Sequence, residues 1–380
     1  MGVNDELPIY LDHNATTPVA EEVLEAMLPY LRGGFGNPSS GHAYGRRAHE
    51  AVETARTQVA EAIGARAHEI VFTSGGTEAN NMVVRGVAEK SRGHHAILST
   101  VEHPSVAGPL SRLEREGWSI DRLAVDENGR VRVDQLDLGP ETALVSVMLA
   151  NNETGTIQPI RRVAEATRGT SALVHTDAAQ ALGKIPVSVD DLGVDLLTLV
   201  GHKAYAPKGV GALYVRDTVV LEPLLVGGGQ ESARRPGTEN VPYIVAMGAA
   251  CALVTAHLDE EAARQRGLRD ALFEGLLARI PGVSRNAPRE LALPNTLSVR
   301  FPGVRGSALL AAAPSIAAST GSACHEGAES ASAVLLAMGL AADVALGTVR
   351  FSVGRGTSAR DVAVSVDALV GAYDEARSVA

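Results

Sequence analysis

The chain has 380 residues and a mass of 39.5 kDa, enough for about two or three domains with well-buried cores. Hydrophobic residues make up 45% and charged residues 21%, a balance that excludes a disordered or collagen-like chain. Lys and Arg number 34 against 44 Asp and Glu, a net charge of −10. A surface this acidic repels phosphate backbones, so direct nucleic-acid binding is not expected.

In chain order, Met1 to Glu6 are acidic and lack the basic-then-apolar layout of a secretory signal. Residues 69–73 predict a strand, followed by Ser74-Gly75-Gly76 and a helix that opens at Thr77-Glu78. Residues 96–100 predict a second strand running into Glu102-His103-Pro104, and 143–149 a third ending at Asn151-Asn152-Glu153. Residues 173–177 and 195–200 give a fourth and a fifth, the last leading into Gly201-His202-Lys203. Continuous apolar strands joined by helical crossovers predict an α/β fold with a mostly parallel sheet covered on both faces. Such sheets bind ligands at the C-terminal ends of their strands, where His103, Asn152, Asp177 and Lys203 fall.

From about Gly248 the texture changes to one long helix over 249–277 and strands at 295–299 and 348–352, as in a smaller α+β domain. The longest apolar stretch, 241–256, is broken by Pro242 and too short to span a bilayer. Two cysteines, Cys251 and Cys324, cannot build a disulfide framework, so a cytoplasmic location is expected. They are far apart and no close His/Cys/carboxylate cluster accompanies them, so no metal site is predicted.

The cationic residues are nearly all arginine; only Lys90, Lys184, Lys203 and Lys208 are lysines. Arginine stays protonated, whereas a desolvated lysine can lose its proton and become a nucleophile. Lys90 sits in a polar run, Ala88 to Gly93, that reads as a solvated helix end. Lys203 follows a buried strand, which lowers its pKa, although a snorkelling surface lysine would carry the same sequence. Ser74-Gly75-Gly76-Thr77-Glu78 fits either an anion-binding helix start or an ordinary capping box. Asp177 either caps the next helix or pairs with a cofactor ring nitrogen, and His103 is a site residue or a satisfied structural histidine. Cys251, among Ala249 to Val254, reads as core. Cys324, in the small and polar run Thr320 to Gly327, reads as a reactive thiol on a mobile loop.

Together these strings resemble the NifS-like cysteine desulfurases, enzymes of fold type I that use pyridoxal 5′-phosphate (PLP) and are related to class V aminotransferases. The resemblance runs from Tyr10-Leu11-Asp12-His13-Asn14-Ala15-Thr16-Thr17-Pro18 to Val349-Arg350-Phe351-Ser352-Val353-Gly354-Arg355. It implies a seven-stranded, mostly parallel sheet in a large PLP-binding domain at 15–248. A small domain would comprise 1–14 and 249–380 and carry the cysteine loop at about 318–332. It implies that Lys203 binds PLP covalently, Asp177 pairs with the pyridinium nitrogen and His103 stacks on the ring and handles protons. Gln180 and Asn152 would lie near the ring hydroxyl, Gly76, Thr77 and His202 would hold the phosphate, and Thr238 would reach it from the other subunit of a homodimer. Arg350 and Asn14 would bind the substrate, L-cysteine. Cys324 would accept its sulfur as a persulfide, for delivery to an acceptor protein.

Two departures stand out. Val200 occupies a position where the family commonly has serine, which removes one hydroxyl contact to the phosphate. The run His325 to Ala331 also differs from the usual continuation after the cysteine. Alternatives kept open are a selenocysteine lyase or other class V enzyme, and a non-catalytic sulfur-carrier subunit. Family members serve iron–sulfur cluster assembly, tRNA thiolation, cofactor synthesis and sulfur modification of DNA, and the sequence does not choose among them.

Overall fold

The computed structural model describes residues 7–321, 324–325 and 328–379. Seven strands form its main sheet: β1 (Ile70–Thr73), β2 (His95–Ser99), β3 (Ser119–Leu123), β4 (Thr142–Ser146), β5 (Leu173–Asp177), β6 (Leu196–Val200) and β7 (Gly211–Val215). Their order across the sheet is β1-β7-β6-β5-β4-β2-β3. All neighbours are parallel except β7, which runs antiparallel to both β1 and β6. The strands β1, β4, β6 and β7 are buried along their whole length, as expected of a sheet with helices on both faces. One face carries the helices Gly76–Lys90 and Pro104–Arg115, whose Val83, Val87, Leu110 and Leu113 pack on Val71, Leu98, Leu144 and Leu213. The other is covered by Ala43–Ala62 and Val241–Ala256.

Five strands match the sequence reading to within a few residues. The third ends at Ser146 rather than Leu149; beyond it Val147 and Leu149 still bond β5 and pack in the core, while Met148 and Ala150 line the site. Ser119–Leu123 and Gly211–Val215 were not anticipated. The first is an edge strand in which only Ile120 and Leu123 are buried, and the second is a five-residue antiparallel insert inside a parallel pattern.

A second apolar core gathers Leu268, Leu272 and Leu276 with Val299, Phe351 and Tyr373. It is built on a small antiparallel sheet of β8 (Ser284–Arg285), β9 (Thr296–Arg300) and β10 (Thr348–Ser352), ordered β10-β9-β8, and the helices Leu258–Leu277 and Ala359–Val379. The N-terminal strand Ile9–Tyr10 pairs with Ile316–Ala317, and Asp12 bridges to Ser352, so the chain start is stitched to this core. The single long helix expected over 249–277 is two helices, Val241–Ala256 and Leu258–Leu277, meeting at 73°. His257, with a non-helical ψ of 17°, ends one and begins the other because each segment packs on a different core. Among the described residues no single helix is long and apolar enough to cross a membrane, and Val241–Ala256 is largely buried. Cys251 is fully buried, and its thiol is pushed up to about 12 by desolvation.

Candidate active site

The C-terminal ends of β1, β2, β4, β5 and β6 open onto one cavity of about 350 Å³. It is lined by Asn14, Gly76, Thr77, His103, Asn152, Asp177, Gln180, Val200, His202, Lys203 and Arg350. Ten of the sequence-predicted site residues therefore converge here, from segments up to 336 positions apart. Thr238 does not line this cavity and is exposed on the surface of the chain. Cys324 lies in a two-residue ladder, Cys324–His325 against Ala328–Glu329, but its side chain lies outside the described residues.

Lys203 sits in a single 3₁₀ turn directly after β6. Its Nζ donates to the backbone carbonyls of Asn14 (2.7 Å) and Ala15 (2.6 Å). Burial, followed by the nearby Arg350 guanidinium, lowers its pKa from 10.5 to about 8, against the opposing pull of Asp12 and Asp177. The snorkelling alternative fails, because the amine points inward. Next to it, burial and the Lys203 and Lys208 charges push His202 down to about 4, and its Nδ1 lies 3.1 Å from Thr16 Oγ1.

Asp177 ends β5 and is 6% exposed. One carboxylate oxygen accepts from Ala179 N–H (2.9 Å) and the other from Asn80 Nδ2 (2.8 Å); turns rather than a helix follow, so Asp177 caps no helix. The helix after β1 starts at Gly76 with Gly75 as its N-cap, at φ +143°, and has no side-chain cap. An ordinary capping box is thus absent, and the first turn keeps free N–H groups for an anion. A Cβ on Gly76 would lie 2.6 Å from Val200 Cγ2; with valine at 200, only glycine fits at 76. Glu78 accepts from Ser74 N–H and from Arg235 Nε (2.7 Å), bracing the segment that carries Thr238 against this helix start.

Arg350, in β10, is 7% exposed. It donates to Asp12 (2.6 Å) and to Asn152 O (2.9 Å), while its Nε is buried without a partner among the described residues. Asn14 joins the two halves of the site. Its side chain donates to Thr296 Oγ1 and Asn152 O, and its carbonyl accepts from Lys203 and from Gln180 Nε2. Three residues that the sequence did not single out also belong here, Asp12, Asn80 and Ser105, together with Lys184, one of the four lysines that it did. Lys184 is buried, its amine driven well below its usual range by desolvation, and it donates to Gln180 Oε1 at 2.6 Å. Its sequence signal was its scarcity, one lysine of four.

The class-V aminotransferase family model matches residues 9–364. The chain belongs to the class-V aminotransferase family. A relative from Dictyoglomus turgidum, cysteine desulfurase IscS, is 44% identical over 377 residues, covering 98% of this chain and 96% of that one. Among solved structures, a NifS-like protein superposes with a TM-score of 0.91 at 37% identity, over 97% of this chain and all of the other. A structure titled SspA in complex with cysteine superposes with a TM-score of 0.81 at 36% identity, covering 90% and 98%.

The cofactor of the family is PLP, and this cavity fits it. Its volume lies in the range of small-molecule pockets. Its donor set comprises one inward-facing amine of lowered pKa, a buried carboxylate, and a glycine-led helix start with His202, all on the same cavity lining. These supply a partner for an aldehyde, a ring nitrogen and a phosphate respectively.

Proposed function

We propose that the protein is a cysteine desulfurase that converts L-cysteine to L-alanine and passes the sulfur to Cys324. The observation that carries this reading is the pairing of Lys203, a half-buried amine whose pKa is lowered to about 8, with Arg350, a buried guanidinium with an unused N–H among the described residues, in one cavity. An amino acid has an α-proton for the first and a carboxylate for the second. The relatives named cysteine desulfurase and the solved SspA–cysteine complex support the substrate.

The chemistry PLP supplies when bound is an electron sink for the pair left at Cα. Lys203 would hold it, Asp177 would face its ring nitrogen, and Gly76, Thr77 and His202 would hold its phosphate. Arg350 orients the substrate carboxylate, with Asp12 and Asn152 fixing the guanidinium plane. Lys203 Nζ takes the α-proton as general base, an assignment its lowered pKa favours at neutral pH. The Cys324 thiolate attacks the substrate sulfur, the Cβ–S bond breaks with its electron pair passing to carbon, and two protons complete alanine. A persulfide remains on Cys324 for an acceptor protein.

We assign a homodimer to this reading, since Thr238 is exposed, outside its own chain's cavity and braced through Arg235 and Glu78. A large unit at 15–248 and a small one at 1–14 and 249–380 also belong to it. The break fits best at His257, because Ala250, Cys251 and Val254 pack in the first core. A cytoplasmic enzyme with a role in iron–sulfur cluster assembly is the corresponding placement.

Incubation with L-cysteine and a reductant should give alanine and sulfide in equal amounts. Pyruvate in place of alanine, or turnover of selenocysteine alone, would overturn this assignment in favour of another class V activity. Val200→Ser should tighten PLP by roughly five- to tenfold, the value of one added hydrogen bond of about 1 kcal/mol. An unchanged PLP dissociation constant would show that the valine costs no phosphate contact.

A further inference from the structure

Beneath the cavity floor, one unbroken chain of hydrogen bonds joins residues from β4, β5, β6 and two helices. Ser146 Oγ lies 2.8 Å from His175 Nδ1, and His175 Nε2 lies 3.1 Å from Thr198 Oγ1. Thr198 donates to Asn80 Oδ1 at 2.7 Å. Asn80 Nδ2 then donates both to Asp177 Oδ2 and to Ser105 Oγ, each at 2.8 Å. Ser105 Oγ lies 2.8 Å from His103 Nδ1. Ser146, His175, Thr198 and Asn80 are all 0% exposed, so no water competes for these bonds.

The direction of every bond in this chain follows from its ends. The backbone N–H of Ser105, which can only donate, points at His103 Nδ1 from 3.1 Å. That nitrogen therefore carries a lone pair, and the Ser105 hydroxyl donates to it as well. Ser105 Oγ must then accept, which requires the amide nitrogen of Asn80; the same nitrogen meets the acceptor-only carboxylate of Asp177. The Asn80 oxygen takes the Thr198 proton, so His175 Nε2 donates to Thr198 and its Nδ1 accepts from Ser146. Burial supports the neutral His175 this requires, pushing it down to about 3. His103, which also senses the charges of Asp177 and Lys203, is lowered too, chiefly by desolvation.

We propose that Asn80 is a positioning residue that locks the two residues flanking the cofactor into one proton arrangement: Asp177 as an acceptor, and His103 neutral with its proton on Nε2. Asn80 forks between them, so both arms depend on one buried amide. An imidazolium at position 103 would have to place a proton on Nδ1, against the Ser105 N–H. His103 thus offers the cavity a hydrogen-bond donor at Nε2, and its Nδ1 is held as an acceptor by Ser105. This rests on the reading of Asp177 and His103 as the cofactor's neighbours.

The test uses full-length protein labelled with ¹⁵N-histidine, first free of PLP and then loaded, with His103 assigned by comparison with His103→Gln. At pH 8 the His103 signals should show a neutral ring protonated on Nε2. Asn80→Asp draws the Ser105 hydroxyl toward its own carboxylate and away from His103; with the Ser105 N–H still in place the ring should stay neutral, and its Nδ1 signal should shift as one hydrogen bond is lost. The PLP dissociation constant should rise roughly tenfold or more, as for a lost hydrogen bond to a charged group. Ser105→Ala should change the His103 signals while leaving PLP affinity within about twofold, because the Asp177 arm survives. If Asn80→Asp does not fold, Thr198→Val removes the hydroxyl that orients the amide and accepts from His175, and PLP affinity should fall severalfold. A doubly protonated or Nδ1-protonated His103 in the parent protein would overturn the proposal, as would unchanged signals in Asn80→Asp or unchanged affinity in Thr198→Val. Altered signals in the PLP-free variant with PLP affinity intact would instead remove Asp177 from its place beside the cofactor.

Discussion

Cys324→Ala should bind PLP like the parent protein and yet release no sulfide from L-cysteine, a fall of roughly a thousandfold or more. The sulfur must leave the substrate as a group attacked from outside, and the chain has one other thiol, Cys251. That thiol is fully buried in the first core and held protonated to about pH 12, so it cannot substitute. The variant should also lack the persulfide that an alkylating reagent traps on the parent after one turnover. Normal sulfide release from Cys324→Ala would mean that sulfur leaves without a protein acceptor, and the desulfurase assignment would fall with it.

Lys203→Ala should purify without covalently attached PLP and lose turnover by at least about 10⁴, the upper range for a general base alone. Borohydride reduction and peptide mapping of the parent should mark Lys203 among the four lysines; a mark on Lys184 or Lys208 would relocate the site. The amine's acidity gives a second check on PLP-free protein. Only a neutral amine undergoes reductive methylation, so labelling of Lys203 should reach half its plateau near pH 8, against about 10.4 for an ordinary lysine. The folded pKa lies below the unfolded one, so the unfolded chain holds more protons across that window. Lys203 should therefore add stability to the PLP-free protein as pH rises between about 8 and 10.5, and Lys203→Met should remove that share of the pH dependence, leaving those of Lys184 and Cys251. A labelling midpoint near 10 would show a solvated amine and remove the general base.

Much of this site was legible because its residues sit at strand ends. Asp177, His103 and Lys203 each follow an apolar run, and a parallel sheet must deliver such residues to one edge. The resemblance then named Gly76, Gln180, His202 and Arg350, all of which line the cavity. Asn80, Ser105 and Thr198 were not legible. They are small polar residues inside a helix or strand, with no motif of their own, and they matter only because a dry interior forces each polar group to find a partner. The break at His257 was hidden for a related reason: the local pattern on both sides is helical, and only docking on two separate cores bends it.

By itself, the sequence determined the kind of sheet, the strand ends at which polar residues gather, the four lysines open to amine chemistry and the two cysteines. These follow from hydrophobic period, from residue chemistry and from the scarcity of lysine and cysteine. Only the tertiary structure decided how the groups are tuned. Lys203 titrates near 8 because folding removes its water and places Arg350 beside it. Asp12 holds Arg350 from 338 residues away, and Asn80 sets the proton pattern through contacts up to 118 positions distant. Desolvation and hydrogen-bond direction are properties of neighbours in space, and chain order does not record them.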